Sequence, residues 1–383
     1  MTDWSFHNPV RVHGGAGSLD TLPGLLRGAG AVLLIATAGF RRRGGLARVE
    51  ALLAEREIHV LDDVSPNPDL GDIEKQLNEF ATAGIREIVA IGGGSVLDTA
   101  KVIAVGLAGE GFSLRGHLLN GEPLPPARDV HLVCIPTTAG TGSEVTPFAT
   151  VWDLAAKKKY SVAGDIVFPD VALLDPELTV SLPEEVTVST GLDAITQAFE
   201  ATWSRRANPV STAYALRAIR LGMEALPALR QRPDDLELRG QMLEASLLAG
   251  LAISRSRTAL CHSMSYPITA HFGLPHGLAC GFTLPEVFAF NRGIDEDRFQ
   301  QLARELGFAD AGALESRLHD LMDELDVPKW LARYIKDSAS VAALAPQMLA
   351  PGRADNNLRT ATVEDVAAIL DAACRDRGLL THA

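Results

Sequence analysis

The chain has 383 residues, more than one hydrophobic core usually supports, so two domains are expected. Hydrophobic residues make up 47% and charged residues 22%, an ordinary balance for a globular protein. The formal net charge of -13 argues against binding to nucleic acid or to an anionic membrane surface. Because the sequence has no apolar signal core and no uninterrupted apolar run of about 18 residues, we expect a cytoplasmic protein without a membrane span.

The cysteines form no CxxC pair and are too sparse for a disulfide framework in a chain of this length. We expect all of them to be buried and to pack as small apolar residues. They are Cys134, Cys261, Cys280 and Cys374.

The first part of the chain alternates short apolar runs with helical patterns. Continuous apolar strands separated by helices are typical of a parallel sheet covered on both faces. Residues 1–180 are therefore predicted to form an α/β dinucleotide-binding domain. The predicted strands are 31–36, 58–61, 87–91 and 130–135, and the predicted helices between them are 46–57 and 73–83.

The pattern changes after Pro183, where strand-like runs nearly vanish and long amphipathic helical patterns take over. We place the domain boundary at 178–184, and we expect 181–383 to form an all-helical domain that binds metal and substrate. The helical patterns are 186–204, 209–229, 235–254, 296–306, 310–325 and 363–377.

Two loops at the carboxyl ends of predicted strands suit a nucleotide cofactor. Glycines after the strand 87–91 allow positive φ and close approach of backbone N–H groups to an anion, and the helix that follows presents its N-terminus. Hydroxyl residues and glycines fill the loop 136–144, although a loop without a ligand is the alternative for each. The residues expected to bind the cofactor in these loops are Gly92, Gly93, Gly94, Ser95, Asp98, Thr137, Thr138, Thr141 and Ser143.

The end of the first predicted strand bears on the choice between NADH and NADPH. An acidic side chain there would bond the ribose 2′-hydroxyl, but the chain has Thr37 and Ala38 followed by Arg41, Arg42 and Arg43. Arginine suits a 2′-phosphate through bidentate hydrogen bonds. The sequence therefore favours NADPH, with Thr37 and Arg41 in the site and a solvated basic turn as the alternative.

A metal site is indicated in the second half of the chain. Asp193 and Gln197 lie four residues apart on a predicted helix, so they share one face. His262 and His276 follow downstream, with His271 between them. One carboxylate and two imidazoles suit Zn²⁺ or Fe²⁺ with a position left open for substrate.

Four sequence motifs, given at the end of this paragraph in chain order, resemble those of the iron-containing (group III) alcohol dehydrogenases. The resemblance extends over about residues 5–290. The resemblance implies the dehydroquinate synthase-like fold of that family, with a nucleotide-binding α/β domain and an all-helical domain. It also implies NAD(P)H, a divalent metal, and a homodimer. The motifs are GGGSVLDTAK (92–101), PTTAGTGSE (136–144), GLDAITQAFE (191–200) and the pairing of His262 with Pro275-His276-Gly277.

The resemblance places the family's metal ligands on Asp193, Gln197, His262 and His276. The second ligand is normally histidine, so Gln197 is a departure that leaves the site with three protein ligands or a weakened fourth. Tyr266 stands where the family usually has a histidine near the reacting carbon.

Further positions follow from the same resemblance. Lys159 matches a family lysine near the cofactor. Apart from the resemblance, we expect the product to take its proton by way of Tyr266, water or His271.

Two segments, 201–211 and 256–267, look like the phosphonoacetaldehyde reductases of phosphonate natural-product pathways, which make 2-hydroxyethylphosphonate. A phosphonate dianion needs fixed cations, although surface solvation is the alternative for each basic residue. Arg257, which leads into His262, is the best candidate, and Arg205 is a second; Arg206 beside it ends the same predicted helix. Lys157 and Lys158 are further basic residues to consider.

The sequence thus predicts NAD(P)H-dependent reduction of a small aldehyde to a primary alcohol, with phosphonoacetaldehyde as the expected substrate. Three alternatives remain open. One is a group III dehydrogenase for an unphosphorylated alcohol or aldehyde. Another is a metal-free reductase of the same fold, which Gln197 suggests. The third is a carbon–oxygen lyase similar to dehydroquinate synthase.

Overall fold

The computed structural model describes residues 3–28, 30–109, 111–156 and 158–378. The chain divides into two compact units. The first, the α/β unit, consists of Asn8–Thr138 and Gly142–Val180. The second, the helical unit, begins at Ser181 and also includes 139–141 and the N-terminal residues up to His7. These two short pieces are grouped differently from a simple division at residue 180.

Six strands of the α/β unit form one parallel sheet in the order β1-β8-β5-β4-β2-β3, and β6 and β7 pair as a separate antiparallel hairpin. The sequence predicted β2 to β5 and missed the other four, which are short or half-exposed. The strands are β1 (Arg11–Gly14), β2 (Ala31–Ile35), β3 (Ile58–Leu61), β4 (Ile85–Gly92), β5 (His131–Pro136), β6 (Phe148–Asp153), β7 (Lys158–Ala163) and β8 (Val171–Leu174).

The parallel sheet is buried on both faces, which explains its continuous apolar strands. Leu33 and Ile35 of β2 belong to one hydrophobic cluster, and Val32 and Leu34 belong to another on the opposite face. Helices supply the rest of both clusters. The helices of this unit are α1 (Leu22–Leu25), α2 (Ala38–Arg42), α3 (Gly45–Leu52), α4 (Leu70–Phe80), α5 (Gly94–Gly106) and α6 (Leu114–Asn120).

The strand order creates a topological switch point between β2 and β4. From β2 the chain continues to β3 on one side, whereas from β4 it continues to β5 on the other. The loops at the carboxyl ends of these two strands therefore part from each other, and open α/β sheets bind ligands in such a crevice. Thr37 follows β2 there, and Gly93 follows β4.

The described residues after Val180 contain helices and no strand. Good capping residues begin several of these helices: Asn208 forms a capping box with Ser211, and Thr362 forms one with Asp365. No described helix is both long and apolar enough to span a membrane. The helices are α7 (Glu184–Trp203), α8 (Pro209–Gln231), α9 (Leu236–Ser256), α10 (Leu260–Phe272), α11 (His276–Gly281), α12 (Leu284–Arg292), α13 (Glu296–Glu305), α14 (Ala311–Glu324), α15 (Val327–Tyr334), α16 (Ser338–Ala342) and α17 (Val363–Asp376).

A fully buried lysine ties α5 to the segment after β5. The Nζ atom of Lys101 donates to Ser143 Oγ at 2.8 Å, Thr146 Oγ1 at 3.0 Å and the Phe148 carbonyl at 3.0 Å. Glu144, in the same segment, is 1% exposed. Burial raises the pKa of its carboxyl from an ordinary 4.5 to about 7, against the opposing influence of its own backbone N–H and Lys101.

This raised pKa predicts that Glu144 destabilises the fold as the pH rises. The folded state holds the proton of Glu144 more tightly than the unfolded state does. The stability that this protonated carboxyl contributes is therefore fully present below pH 4.5 and is lost as the pH rises through about 7. The free energy of unfolding of Glu144→Gln, taken relative to that of the parent, should therefore rise by roughly 3 kcal/mol between pH 4.5 and pH 8. Urea unfolding at both pH values measures this difference. The exposed Glu55→Gln is the control, and an equal Glu144→Gln effect at both pH values contradicts the prediction.

Candidate active site

The three glycines at the end of β4 are required by the space around them and not by positive φ. None of Gly92, Gly93 and Gly94 has a positive φ, so that part of the sequence interpretation is wrong. Gly92 is required because an added Cβ would lie 2.5 Å from Cγ2 of Val96. Gly93 is the extended N-cap of α5, so the N–H groups of Gly94 and Ser95 in the first turn lack helical partners. This helix end can bind a pyrophosphate.

Asp98 and Ser143, which were expected to bind cofactor, bond to each other. Ser143 Oγ donates to Asp98 Oδ1 at 2.6 Å, and the Thr150 amide donates to Asp98 Oδ2 at 2.8 Å. These bonds fix the loop after β5 on α5. The Thr137 amide donates to the Gly92 carbonyl at 2.9 Å, which joins the two loops at the sheet edge.

The other expected cofactor residues lie in different surroundings. An added Cβ on Gly93 would lie 3.3 Å from Thr138 Oγ1, so this hydroxyl faces the glycine loop. Thr141 belongs to the helical unit. Lys159 lies on β7 with its Nζ 5.7 Å from the centre of the Trp152 ring.

The arginines after β2 lie at the switch point. Thr37 caps α2 by accepting from the Phe40 amide, and Arg41 forms an ion pair with Asp62, a partner that the sequence did not indicate. An added Cβ on Gly39 would lie 3.3 Å from Nη1 of Arg43 and 3.9 Å from Nη2 of Arg42. Guanidinium groups therefore collect at the end of β2, where an anion could bind.

In the helical unit, side chains from three helices form what we call the metal cluster. Asp193, His262, His276 and Cys280 each offer a ligand atom, and these atoms all lie within 4.8 Å of one another. His262 Nε2 is 3.2 Å from Asp193 Oδ1, and Cys280 Sγ is 3.7 Å from His276 Nε2. A carboxylate, two imidazoles and a thiol can hold Zn²⁺ or Fe²⁺.

Gln197 provides a separate test of whether an ion fits this cluster. Its side chain is buried and bonds to Asp193, but its Oε1 atom has no hydrogen-bond partner among the described residues. A buried acceptor left without a partner costs about 1–3 kcal/mol. A bound cation or its water would satisfy this oxygen, so the residues fit the divalent metal.

Close helix packing brings the cluster together. Asp193 lies on α7, His262 in the first turn of α10, and His276 at the start of α11. An added Cβ on Gly277 would lie 1.8 Å from the Ser189 carbonyl oxygen of α7. Only glycine lets α11 approach α7 this closely, and the approach sets His276 beside Asp193.

Glu200 orients His262 and was missed in the sequence. It is fully buried, and its Oε2 lies 2.7 Å from His262 Nδ1 and accepts from the Ala259 amide at 2.8 Å. Such a carboxylate fixes the imidazole so that the other nitrogen, Nε2, faces the cluster. The spacing of Asp193, Gln197 and Glu200 at i, i+4 and i+7 on one helix could have revealed it.

Electrostatic effects within the cluster favour its charged forms despite burial. Burial raises the pKa of Asp193, but His262, His276 and Gln197 lower it below its ordinary value overall. Burial opposes the imidazolium of His262, yet Cys280, Glu200 and Asp193 raise its pKa well above 6.5. For Cys280, the two histidines outweigh burial and lower the thiol pKa to about 7.

Of the two proton-relay candidates, the structure brings Tyr266 to the cluster. Its ring stacks on that of His276, with centroids 5.8 Å apart and planes within 9°. Arg353 Nε donates to the Tyr266 hydroxyl at 3.4 Å. His271 lies exposed in the last turn of α10 and is not among the side chains that meet in the cluster.

What we call the arginine cluster consists of Arg206, Arg255, Arg257 and Arg353. It adjoins Tyr266 through Arg353. Burial and, after it, the like charges of Arg353, Arg206 and Arg255 together lower the pKa of Arg257 to about 10. Arg257 has φ of 63°, a strained backbone for a residue other than glycine.

Other basic residues proposed for the phosphonate lie elsewhere. Arg205, the second candidate from the sequence, donates instead to Thr360 Oγ1 at 2.7 Å. Its neighbour Arg206 is the residue that belongs to the arginine cluster. Lys158 lies on β7 of the α/β unit, and Lys157 lies outside the described residues.

Comparison with known proteins identifies the class. Residues 9–176 match the model of iron-containing alcohol dehydrogenases, and 187–374 match the C-terminal model of the same family. The chain is 32% identical to the 1-propanol dehydrogenase PduQ of Salmonella typhimurium over 93% of its length and 95% of that protein. The chain therefore belongs to the iron-containing alcohol dehydrogenase family.

Two further relatives carry more specific names. The chain is 37% identical to a phosphonoacetaldehyde reductase of Streptomyces viridochromogenes, over 71% of this chain and 70% of that one. A sulfoacetaldehyde reductase of Bifidobacterium kashiwanohense, solved with NAD⁺, matches the whole of both chains with a TM-score of 0.88 and 29% identity. The protein is an NAD(P)-dependent alcohol dehydrogenase or aldehyde reductase of this family, which uses a divalent metal.

The close contact at Gly277 predicts that a single methyl group disrupts the metal cluster. In Gly277→Ala the new Cβ meets a backbone carbonyl that cannot move aside, so α11 must shift and carry His276 away. We expect loss of bound metal and destabilisation of at least about 1–3 kcal/mol. Elemental analysis and thermal unfolding measure both.

The matched control for this variant is Gly240→Ala on α9, where an added Cβ meets nothing within 4 Å. It should keep its metal and be as stable or slightly more stable. A Gly277→Ala protein with full metal content and an unchanged melting temperature would show that the contact is not needed.

Proposed function

We propose that this enzyme reduces a small aldehyde that carries a tetrahedral anionic group, and that phosphonoacetaldehyde is its substrate. The product is then 2-hydroxyethylphosphonate, a primary alcohol. The observation that carries the proposal is the arginine cluster beside the metal cluster within the helical unit.

The two clusters are linked by a short chain of contacts. Arg353 bonds to the Tyr266 hydroxyl, and the Tyr266 ring stacks on His276 of the metal cluster. A small molecule with an aldehyde at one end and an anionic group at the other could bind both at once. Guanidinium groups suit a phosphonate because they offer two parallel N–H donors to its oxygens.

Two relatives support the same chemical class. One is named a phosphonoacetaldehyde reductase and the other a sulfoacetaldehyde reductase. Both names describe a two-carbon aldehyde with a tetrahedral anionic group, which is the ligand that the arginine cluster suits.

The reaction assigns a role to each side chain. Asp193, His262 and His276 would hold the metal, and Glu200 keeps His262 oriented toward it. When bound, the metal polarises the aldehyde oxygen and the nicotinamide supplies the hydride. Tyr266, with its hydroxyl held by Arg353, is the proposed proton donor to the product oxygen. The exposure of His271 makes that residue the weaker candidate.

Removing the charge of Arg257 tests the substrate. Since its φ of 63° suits glycine, Arg257→Gly removes the guanidinium without adding backbone strain. We expect kcat/KM to fall roughly 10- to 100-fold for phosphonoacetaldehyde, the loss of a charge-assisted hydrogen bond, and less than about 3-fold for propanal. The melting temperature should be unchanged or higher.

The control is Arg217→Ala, which removes an exposed arginine paired with Glu244. This variant should leave kcat/KM unchanged for both substrates. Equal kcat/KM of the parent enzyme for phosphonoacetaldehyde and for propanal would refute the anionic substrate. That result would favour an unphosphorylated aldehyde, as the name of the 1-propanol dehydrogenase relative suggests.

We further propose that NADPH is the preferred cofactor, because no acid ends β2 and the Arg42 and Arg43 guanidiniums lie beside Gly39. Arg43→Ala should raise KM for NADPH by about tenfold and KM for NADH by less than about twofold. Steady-state kinetics with both cofactors measures this, with Arg48→Ala, an exposed arginine paired with Asp20, as control. Equal kcat/KM of the parent for the two cofactors would contradict the preference.

A homodimer in the cytoplasm is also proposed, from the family resemblance alone. Light scattering of the purified protein tests the dimer.

A further inference from the structure

We propose that the thiolate of Cys280 is a ligand of the metal and replaces the histidine for which this chain has Gln197. The ligands are then a carboxylate from Asp193, imidazoles from His262 and His276, and sulfur from Cys280. This set selects Zn²⁺ over Fe²⁺. The inference rests on the metal-dependent enzyme proposed above, but not on the identity of its substrate.

The spacing of the atoms matches that of ligands around one ion. Cys280 Sγ lies 3.7 Å from His276 Nε2 and 3.8 Å from Nδ1. With Zn–S of about 2.3 Å and Zn–N of about 2.0–2.1 Å, sulfur and nitrogen ligands of a tetrahedral ion are roughly 3.5 Å apart. The 3.2 Å between Asp193 Oδ1 and His262 Nε2 similarly fits an oxygen and a nitrogen ligand.

The fold directs Cys280 into the cluster. It lies one turn after His276 on α11, so the two side chains share a face of that helix. The close approach of Gly277 to Ser189 holds α11 against α7, which carries Asp193. Cys280 is fully buried, and its Sγ lies within 4.8 Å of the ligand atoms of Asp193, His262 and His276.

Gln197 supplies an independent sign that the cluster has an occupant. The residue is 4% exposed, its side chain bonds to Asp193, and its Oε1 lacks a hydrogen-bond partner among the described residues. Such a buried acceptor needs an explanation, and a bound ion with its water provides one. The amide holds Asp193 in place, while the thiolate is the better fourth ligand.

The chemistry of the thiolate determines which metal is preferred. Cys280 loses its proton on binding, and the proton is released to solvent. Soft thiolate ligands suit Zn²⁺, whereas oxygen and nitrogen ligands alone do not distinguish Zn²⁺ from Fe²⁺ well. Zn²⁺ can expand from four to five ligands, so a substrate oxygen can still bind.

Substitution of Co²⁺ makes the sulfur ligand visible. The metal-free full-length enzyme is loaded with one equivalent of Co²⁺, and its near-ultraviolet spectrum is recorded for a thiolate-to-Co²⁺ charge-transfer band. The parent and Cys134→Ala, which removes a buried thiol of the α/β unit, should show the band. Cys280→Ser and Cys280→Ala should lack it.

Competition with a chelator then measures affinity. Cys280→Ser should bind Zn²⁺ at least about 100-fold more weakly than the parent, the upper end of what loss of a supporting partner costs. The double variant Gln197→His with Cys280→Ser should regain Zn²⁺ and Co²⁺ binding without the band. It serves as the folded comparison if Cys280→Ser alone is unstable.

Two results would overturn the inference: a band that persists without Cys280, or a parent enzyme that binds Co²⁺ without any band. Neither readout requires aldehyde turnover. An enzyme that shows the band but does not prefer phosphonoacetaldehyde would refute the proposed substrate and leave the sulfur ligand standing.

Discussion

The approach of α11 to α7 is the contact on which the metal cluster depends. At Gly277 the space that a side chain would need is filled by the Ser189 carbonyl, and at Gly281 an added Cβ would lie 3.0 Å from the Leu192 side chain. Two glycines one turn apart therefore let the helices pack almost backbone to backbone. Because α7 is itself buried along most of its length, it cannot yield. The proposed ligands are thus held on rigid elements, as a metal site requires.

This packing also buries charge that the protein must compensate. Asp193 and Glu200 are both buried on α7, on either side of the His262 ring. A buried imidazolium can offset one carboxylate, but burying two carboxylates without a second cation is costly. A divalent ion would supply that charge, with His262 neutral and its Nε2 available as a ligand. The apolar packing and the electrostatics of α7 therefore both call for a cation at the same point.

Local patterns predicted a large part of this arrangement. The continuous apolar runs of β2 and β4 and the spacing of Asp193 and Gln197 each depend on residues near in sequence. The place of Cys280 in the metal cluster was not predicted, because in the sequence a thiol in an apolar helix looks like a small core residue. Only the folded chain brings imidazoles beside it. Arg353 was not predicted for a related reason: its contact with Tyr266 joins residues far apart in the chain, with no motif between them. The conformation of Gly92 was mistaken because the constraint came from Val96 and not from φ.

The arginine cluster is the feature that folding alone explains least. Arg257 has a backbone conformation that costs about 1–3 kcal/mol in a residue other than glycine, and its guanidinium is held near three like charges. Glycine would fit the backbone there, and a neutral side chain would remove the repulsion. Strain and like-charge crowding at one residue, in a protein of net charge -13, are consistent with a site shaped for an anion. A dianion bound there would turn the repulsion among the arginines into attraction, so the stability given up in the empty protein is regained when the ligand binds.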